Sequence, residues 1–208
     1  MYKIYDVSMP IFNGMPVYKN KPEKQPHFDR ITNNYVSETR LSLDVHCGTH
    51  VDAPLHMIVE GKTMETIPIE QLVGPCRVLD LTHVTDGITR SDVEHLQIEE
   101  GEFLLLKTAN SYEESFQPEF IFVKEDAAHY FSERKIRGVG IDALGIERSQ
   151  QGHPTHKTLF NKGIIIIEGL RLKEVPAGDF FMFAAPIKLV GTDASPARVL
   201  LVEGIKQS

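Results

Sequence analysis

The stretch HCGTHVDAPLH, residues 46–56, places four potential metal-ligating side chains at even-numbered positions: His46, His50, Asp52 and His56. Side chains two residues apart lie on the same face of an extended strand, with their Cα atoms about 7 Å apart. His50 and Asp52 at that separation can converge on one metal ion. A lone buried histidine is usually a satisfied core residue, but four such side chains of one parity indicate a metal site.

His46 needs a bend in the chain to reach the same ion. A fully extended chain would separate His46 from His50 by about 13 Å, which is too far for a shared ion. Gly48 lies between them and adopts backbone conformations that other residues avoid, so we expect a bend at Cys47–Gly48. A helix would also align the two histidines, but an interior Gly48 and the nearby Pro54 argue against one.

His56 and Cys47 are expected to play different parts. His56 would lie about 13 Å beyond Asp52 along an extended chain, outside the coordination shell but on the same face, where a general acid or base is useful. Cys47 has the opposite parity, which predicts a buried apolar contact rather than a zinc thiolate. Two imidazoles and one carboxylate remain, a set that suits zinc, manganese or iron.

The composition of the whole chain restricts its partners. A formal charge of −7 and the absence of a Lys/Arg cluster disfavour nucleic acid, which leaves a small-molecule substrate as the expected partner. No segment approaches the roughly 18 apolar residues of a membrane span, and the first residues lack the apolar core of a signal peptide. Because Cys47 and Cys76 are the only cysteines, the reducing cytoplasm is the expected location.

The hydrophobic pattern predicts a single α/β domain over residues 1–208 with a mixed sheet. Ser91 followed by Glu94 predicts a capping box that opens a helix through Ile98. A long proline-rich loop is expected after the first strand. The expected strands are residues 4–8, 35–43, 77–81, 103–108, 139–142, 164–168, 180–184 and 199–202, and the expected helical segments are 68–72, 91–98, 124–134 and 154–160.

The motif at residues 46–56 resembles the signature His-x-Gly-Thr-His-x-Asp-x-Pro-x-His of the cyclase family, which includes bacterial kynurenine formamidases and isatin hydrolases. Every fixed position matches. The opening DVSMPIFNGMPVY and the late APIKLVGTDASPARVLLV also resemble that family, so the resemblance covers most of the chain. It implies a partly barrel-like mixed sheet flanked by short helices, of the swivelling β/β/α type, in a homodimer or larger homo-oligomer.

The resemblance also implies a set of ligands for one or two divalent ions, zinc or alternatively manganese. His46 and His50 would bind one ion, Asp52 would bridge both, and His56 would be the catalytic proton shuttle. The second ion needs a histidine and a glutamate twelve residues apart, which His156 and Glu168 provide, with His153 as a competitor for His156. Asp193 and Arg198, in the late segment, are interpreted as structural turn and ion-pair residues.

Two departures from the formamidase pattern concern the substrate. Formamidases of this family commonly carry a tryptophan in the N-terminal loop, where this tryptophan-free chain has Tyr18 as the candidate substrate-binding residue. The segment IDALGIERSQQGHPTH, residues 141–156, also differs from the family pattern. Hydrolysis of an N-aryl formamide such as N-formylkynurenine is therefore the leading hypothesis. The alternatives are hydrolysis of an isatin-like cyclic amide or a lactone, and a metal-binding protein without turnover.

Overall fold

The computed structural model describes residues 2–205 of the chain. Within that range the α-helices are α1 (Arg90–Val93), α2 (Glu125–Glu133) and α3 (Pro154–Phe160). The strands are β1 (Lys3–Asp6), β2 (His27–Asn33), β3 (Val36–Ser42), β4 (His50–Asp52), β5 (Val73–Asp80), β6 (Gly87–Ile88), β7 (Phe103–Lys107), β8 (Phe122–Val123), β9 (Gly138–Ile141), β10 (Ile165–Glu168), β11 (Gly178–Pro186) and β12 (Ala194–Glu203).

Seven strands close into a ring, in the order β12-β11-β5-β7-β9-β10-β4 and back to β12. The long strand β12 makes the closure possible, because it pairs with β4 near its start and with β1 near its end. The neighbours β5, β7, β9 and β10 run parallel, and the other pairs of the ring are antiparallel. The predicted mixed, partly barrel-like sheet is therefore confirmed.

Alternate residues of the ring strands enter two different cores. Phe103 and Leu105 lie in an inner core with Val51 and Ile167. Side chains of β11 and β12 also belong to this core. Leu104 and Leu106 point the other way, into a helix-side core with residues of α2 and α3. Burial on both faces explains why β7 is an unbroken apolar run before its terminal lysine, as is typical of parallel strands.

The helix predicted from Ser91 begins one residue earlier, at Arg90, and the expected capping box was wrong. Thr89 is the N-cap, and the Asp92 carboxylate accepts hydrogen bonds from the Thr89 N–H at 2.7 Å and from its hydroxyl at 2.5 Å. The α-helical part ends at Val93 and continues only as a 3-10 turn. An Asp three residues after Thr89 can make the same reciprocal cap that the Ser91–Glu94 spacing suggested.

The strand predicted at residues 35–43 is half of a hairpin whose other strand, β2, the sequence pattern missed. β2 and β3 pair over their full length around a two-residue turn at Asn34 and Tyr35. Every residue of the two strands is exposed except Phe28, which is half-buried. Because neither face is covered by the rest of the chain, no alternation of polar and apolar residues marks β2. None of the helices described between residues 2 and 205 is long and apolar enough to cross a membrane.

Candidate metal centre

Strands β4 and β10 place two acidic side chains and a histidine on one face of the ring. They pair antiparallel with His50 opposite Glu168 and Asp52 opposite Ile166. Ile166 belongs to the helix-side core, so His50, Asp52 and Glu168 face the helices, while Val51 points into the inner core. His50 Nε2 lies 3.4 Å from Asp52 Oδ1 and 3.3 Å from Glu168 Oε2. The register of these short strands therefore brings His50, Asp52 and Glu168 together in one polar cluster.

A bend at Gly48 brings His46 next to this polar cluster. Gly48 has φ +67°, a conformation that L side chains rarely adopt, and a Cβ there would meet Ile11 at 3.0 Å. The Gly48 carbonyl oxygen lies 2.9 Å from His50 Nδ1, which leaves Nε2 of that ring facing the carboxylates. His46 Nδ1 lies 3.1 Å from Asp52 Oδ1, and the rings of His46 and His50 are 5.0 Å apart.

Helix α3 brings His156 over the same carboxylates. His156 Nε2 lies 3.4 Å from Glu168 Oε1 and 3.8 Å from Asp52 Oδ2, and the ring is buried. His153, the competing histidine, caps the helix start with φ +50° and is 41% exposed in its side chain. Its ring contacts Glu147 and lies 6.2 Å from the His156 ring. The structure thus brings His156, rather than His153, to Asp52 and Glu168.

The donor set fits a divalent cation because its buried atoms lack other partners. Among the described residues, His50 Nε2, His156 Nε2 and both carboxylate oxygens of Asp52 are buried without a hydrogen-bond partner. Such unsatisfied buried polar atoms are costly unless something binds them. Imidazole nitrogens and carboxylate oxygens are the ligands that zinc and manganese accept. Within each of three sets of side chains the possible ligand atoms lie within 4.8 Å of one another: His46–Asp52–His56, His50–Asp52–Glu168 and Glu147–His153–His156.

The two carboxylate oxygens of Asp52 face different histidines. Oδ1 lies near His46 and His50, whereas Oδ2 faces His156. Glu168 is similarly placed, with Oε2 towards His50 and Oε1 towards His156, and Oε1 also accepts the Ile146 N–H at 2.6 Å. The pairing implied by the family resemblance groups His46 with His50, but here His50 is as close to Glu168 as to Asp52.

Without a cation, the carboxylates and imidazoles stabilise each other's charges. Burial lowers the pKa of His50 and of His156, but close contacts with the neighbouring carboxylates and the charges of those groups outweigh it and raise each pKa to about 10. Burial and the nearby Asp52 charge oppose ionisation of Glu168, yet its contacts with His156 and His50 lower its pKa to about 2. The pKa of Asp52 is likewise held well below its usual range by His46 and His50, against the effect of burial.

Metal binding is therefore expected to release protons. A protonated histidine must lose one ring proton before it can bind a metal ion. At pH 7 both His50 and His156 are protonated, because the pH lies below their pKa of about 10. Release of two protons, one each from His50 and His156, would raise the apparent affinity by about 100-fold per pH unit between pH 6 and 8, and His46, whose pKa Asp52 raises against the effect of burial, adds to the release. Calorimetric titration with Zn²⁺ in buffers of different ionisation enthalpy counts the protons. No release at pH 7 would contradict this ligand assignment.

His56 lies closer to the site than an extended chain would allow. Pro54–His56 forms a 3-10 turn, so the estimate of about 13 Å from Asp52 was wrong because the chain folds back after Pro54. The centroid of the His56 ring lies 4.0 Å from that of the His46 ring, with the ring planes inclined at 41°, and the His56 side chain is 24% exposed. Burial, as the largest effect, lowers the pKa of His56, which keeps this ring neutral and able to accept a proton at pH 7.

Asp193 is a site residue that the sequence interpretation placed elsewhere. It comes just before β12, and its Oδ2 lies 2.9 Å from His46 Nε2 and 3.4 Å from His56 Nδ1. Arg198, interpreted from the sequence as a structural ion-pair residue, forms an ion pair with Asp6. The backbone explains the placement, since the Ala53 N–H donates to the Asp193 carbonyl beside β4. No spacing rule links positions so far apart, and only the resemblance of the late segment to the family marked this residue.

Tyr18 lies in an aromatic cluster with Phe116 and Phe120. Its ring packs edge-on against Phe116 and Phe120, at 5.4 and 6.2 Å between centroids, and its hydroxyl lies 2.8 Å from Ser149 Oγ. Phe12, Phe116 and Phe120 line a cavity of about 310 Å³. The cavity walls Met9 and Ala143 hydrogen-bond to Thr49 and Gly169, the chain neighbours of His50 and Glu168.

Cys47 takes no part in this donor set. It is 2% exposed and its Sγ contacts the sulfur of Met15 at 3.3 Å. Burial raises the pKa of its thiol to about 11, which opposes formation of a metal-binding thiolate. The predicted buried apolar contact is confirmed.

Comparison with known proteins places this chain in a family. The family model described as "Putative cyclase" matches residues 5–148. Kynurenine formamidase of Sphingopyxis alaskensis is 29% identical over 207 residues, covering 98% of this chain and 99% of its own. A structure described as a "predicted metal-dependent hydrolase from Bacillus stearothermophilus" is 66% identical, with a TM-score of 0.92 over 98% of this chain and 100% of its own. Isatin hydrolase A from Labrenzia aggregata is 26% identical, with a TM-score of 0.84 over 97% and 93%. The chain belongs to the cyclase family of metal-dependent hydrolases.

Proposed function

We propose that this protein is a metal-dependent hydrolase that cleaves an N-aryl formamide such as N-formylkynurenine. The observation that carries the proposal is that buried ligand atoms of His50, Asp52 and His156 converge without hydrogen-bond partners among the described residues, with the His56 ring 4.0 Å from the His46 ring beside them. A purely structural zinc site usually surrounds its ion with four protein ligands. Here His56 and Asp193 keep 24% and 39% of their side chains exposed, which supports a site open to substrate.

The proposed ligands are His46, His50, Asp52, His156 and Glu168. Zinc is the proposed ion, with manganese as an alternative, and one or two ions are bound per subunit. The two oxygens of Asp52, which face different histidines, support a bridging role for this carboxylate. When bound, such a cation polarises the scissile carbonyl and lowers the pKa of a water molecule.

His56 is the proposed acid and base. Its neutral ring accepts a proton from the attacking water, whose oxygen forms a bond to the formyl carbon. The protonated ring then gives that proton to the nitrogen of the departing arylamine as the C–N bond breaks, so the products are formate and the free amine. The Asp193 carboxylate near Nδ1 stabilises the imidazolium and orients the ring between these steps.

The aromatic cluster supports an aryl substrate. Tyr18 is proposed to form one wall of the binding pocket, together with the phenylalanines of the adjoining cavity. Aromatic side chains there offer edge and face contacts that suit an aryl ring. The S. alaskensis relative carries the name kynurenine formamidase, which agrees with this substrate class.

Substrate choice is tested by comparing turnover of N-formylkynurenine with turnover of isatin by the zinc-loaded and manganese-loaded protein. We expect kcat/KM for N-formylkynurenine to exceed that for isatin by at least about 100-fold, the discrimination that a well-fitted pocket provides. The similarity to isatin hydrolase A favours a cyclic amide as the second candidate. A reversed preference would therefore replace the formamide with the cyclic substrate, and hydrolysis of neither would reject both.

A homodimer or larger homo-oligomer in the cytoplasm is the proposed state of the protein. The hairpin β2–β3 supports self-association because it exposes Ile31, Tyr35, Val36 and Leu41. Isolated two-stranded hairpins are only marginally stable in water, so contact with another subunit would stabilise this one. Two buried free thiols, Cys47 and Cys76, agree with a reducing compartment.

A further inference from the structure

Glu147 is a fully buried carboxylate next to the proposed metal centre, and no spacing rule drew attention to it. It lies in the segment between β9 and α3, and none of its side chain is exposed. Its Oε2 lies 2.7 Å from His156 Nδ1. Oε1 and Oε2 also accept the backbone N–H groups of Thr155 and His156, at 3.3 and 3.4 Å. Three contacts thus hold the carboxylate against the first turn of α3.

These contacts fix which nitrogen carries the proton when the His156 ring is neutral, the form that binds a metal ion. A carboxylate only accepts hydrogen bonds, so Nδ1 must donate to Glu147. In a neutral imidazole the other nitrogen then keeps a free lone pair. That nitrogen, Nε2, faces Glu168 Oε1 at 3.4 Å and Asp52 Oδ2 at 3.8 Å and is among the buried atoms that lack a partner within residues 2–205.

We propose that Glu147 is a positioning residue, which holds His156 as the Nδ1–H tautomer and so presents the Nε2 lone pair to a divalent cation shared with Asp52 and Glu168. The inference rests on the proposed function, because it needs a metal at this centre. A carboxylate that accepts the outer N–H of a metal-binding histidine orients the ring and increases its basicity. The same carboxylate stabilises the start of α3, where His153 supplies no side-chain cap.

The test is the affinity of Zn²⁺ for the metal-free full chain, measured by chelator competition for wild type and Glu147→Gln. Gln has nearly the same size, and its one carbonyl oxygen can still accept the Thr155 N–H, but its NH₂ group in the place of Oε2 faces Nδ1 and forces the ring proton onto Nε2. We expect affinity at this ion to fall about 10- to 100-fold. Glu147→Asp keeps the charge and is expected to retain more affinity than Glu147→Gln.

Two control variants separate positioning from stability. Thr155→Val removes the hydrogen bond from Thr155 Oγ1 to the Val123 carbonyl, at 2.8 Å, and so weakens the same end of α3 without touching the His156 ring. His153→Ala removes the other ring near Glu147. Both should keep wild-type Zn²⁺ affinity, while Thr155→Val lowers the melting temperature of the metal-free protein.

Each outcome decides a different claim. Unchanged affinity in Glu147→Gln, or an equal loss in Thr155→Val, would overturn the positioning role while leaving the proposed function intact. Loss of affinity in His153→Ala would transfer the ligand role to that residue and overturn the assignment of His156. Failure of wild type itself to bind either Zn²⁺ or Mn²⁺ would overturn the proposed function and, with it, the role of Glu147.

Discussion

Replacement of Asp52 with asparagine is expected to abolish both metal retention and turnover. The carboxylate is buried, its two oxygens face different histidines, and neither oxygen has a hydrogen-bond partner among the described residues. Asparagine keeps the shape but removes the charge and replaces one ligand oxygen with an NH₂ group that cannot coordinate. Loss of cation assistance, worth several kcal/mol, corresponds to a decrease in kcat/KM of roughly 1,000-fold or more.

The measurement combines elemental analysis of the purified variant with kcat/KM for N-formylkynurenine. Asp80→Asn is the control. Asp80 is an exposed carboxylate whose Oδ1 accepts a hydrogen bond from the Thr82 N–H, and it is distant in sequence from the proposed ligands. The control should keep metal and activity. An Asp52→Asn protein that carried the wild-type number of metal ions would contradict the bridging role.

Replacement of His56 with alanine is expected to separate metal binding from catalysis. His56 contributes no atom to the His50–Asp52–Glu168 set, and its lowered pKa suits a group that accepts a proton at pH 7. Loss of a general acid–base typically costs about 100- to 10,000-fold in rate. We therefore expect kcat to fall by that factor while the Zn²⁺ content stays at the wild-type value.

His129→Ala provides the matched control, because His129 is exposed on α2 and contacts only Glu125 among the ion pairs of the described chain. Its kinetics should equal those of wild type. If His56→Ala instead loses zinc in proportion to activity, His56 is a ligand. In that case His56 would bind the ion together with His46 and Asp52, whose ligand atoms lie within 4.8 Å of it.

The local part of the site could be predicted from sequence because it depends on parity and one bend. His50 and Asp52 share a face of β4, and the positive φ of Gly48 returns His46 to them. Both features follow from strand geometry and from the freedom of glycine. His56 could not be placed in this way, because the 3-10 turn after Pro54 shortens the path that an extended chain would take.

The rest of the site depends on contacts distant in sequence. The register that sets Glu168 opposite His50 belongs to the closure of the ring, which local patterns do not encode. Asp193 and Glu147 were missed for the same reason, since each reaches its histidine through strand or helix packing. The hairpin strand β2 was missed because no core of this chain covers it, so burial imposed no pattern on its sequence.

The central claim is that hydrolysis depends on a divalent ion held by these side chains. It is tested most directly by titrating the metal-free protein with Zn²⁺ while N-formylkynurenine hydrolysis and bound metal are followed together. We predict no turnover before addition, a rise in proportion to bound zinc, and a plateau at one or two equivalents per subunit. Full activity in the metal-free protein, or zinc uptake without any hydrolysis, would contradict the account.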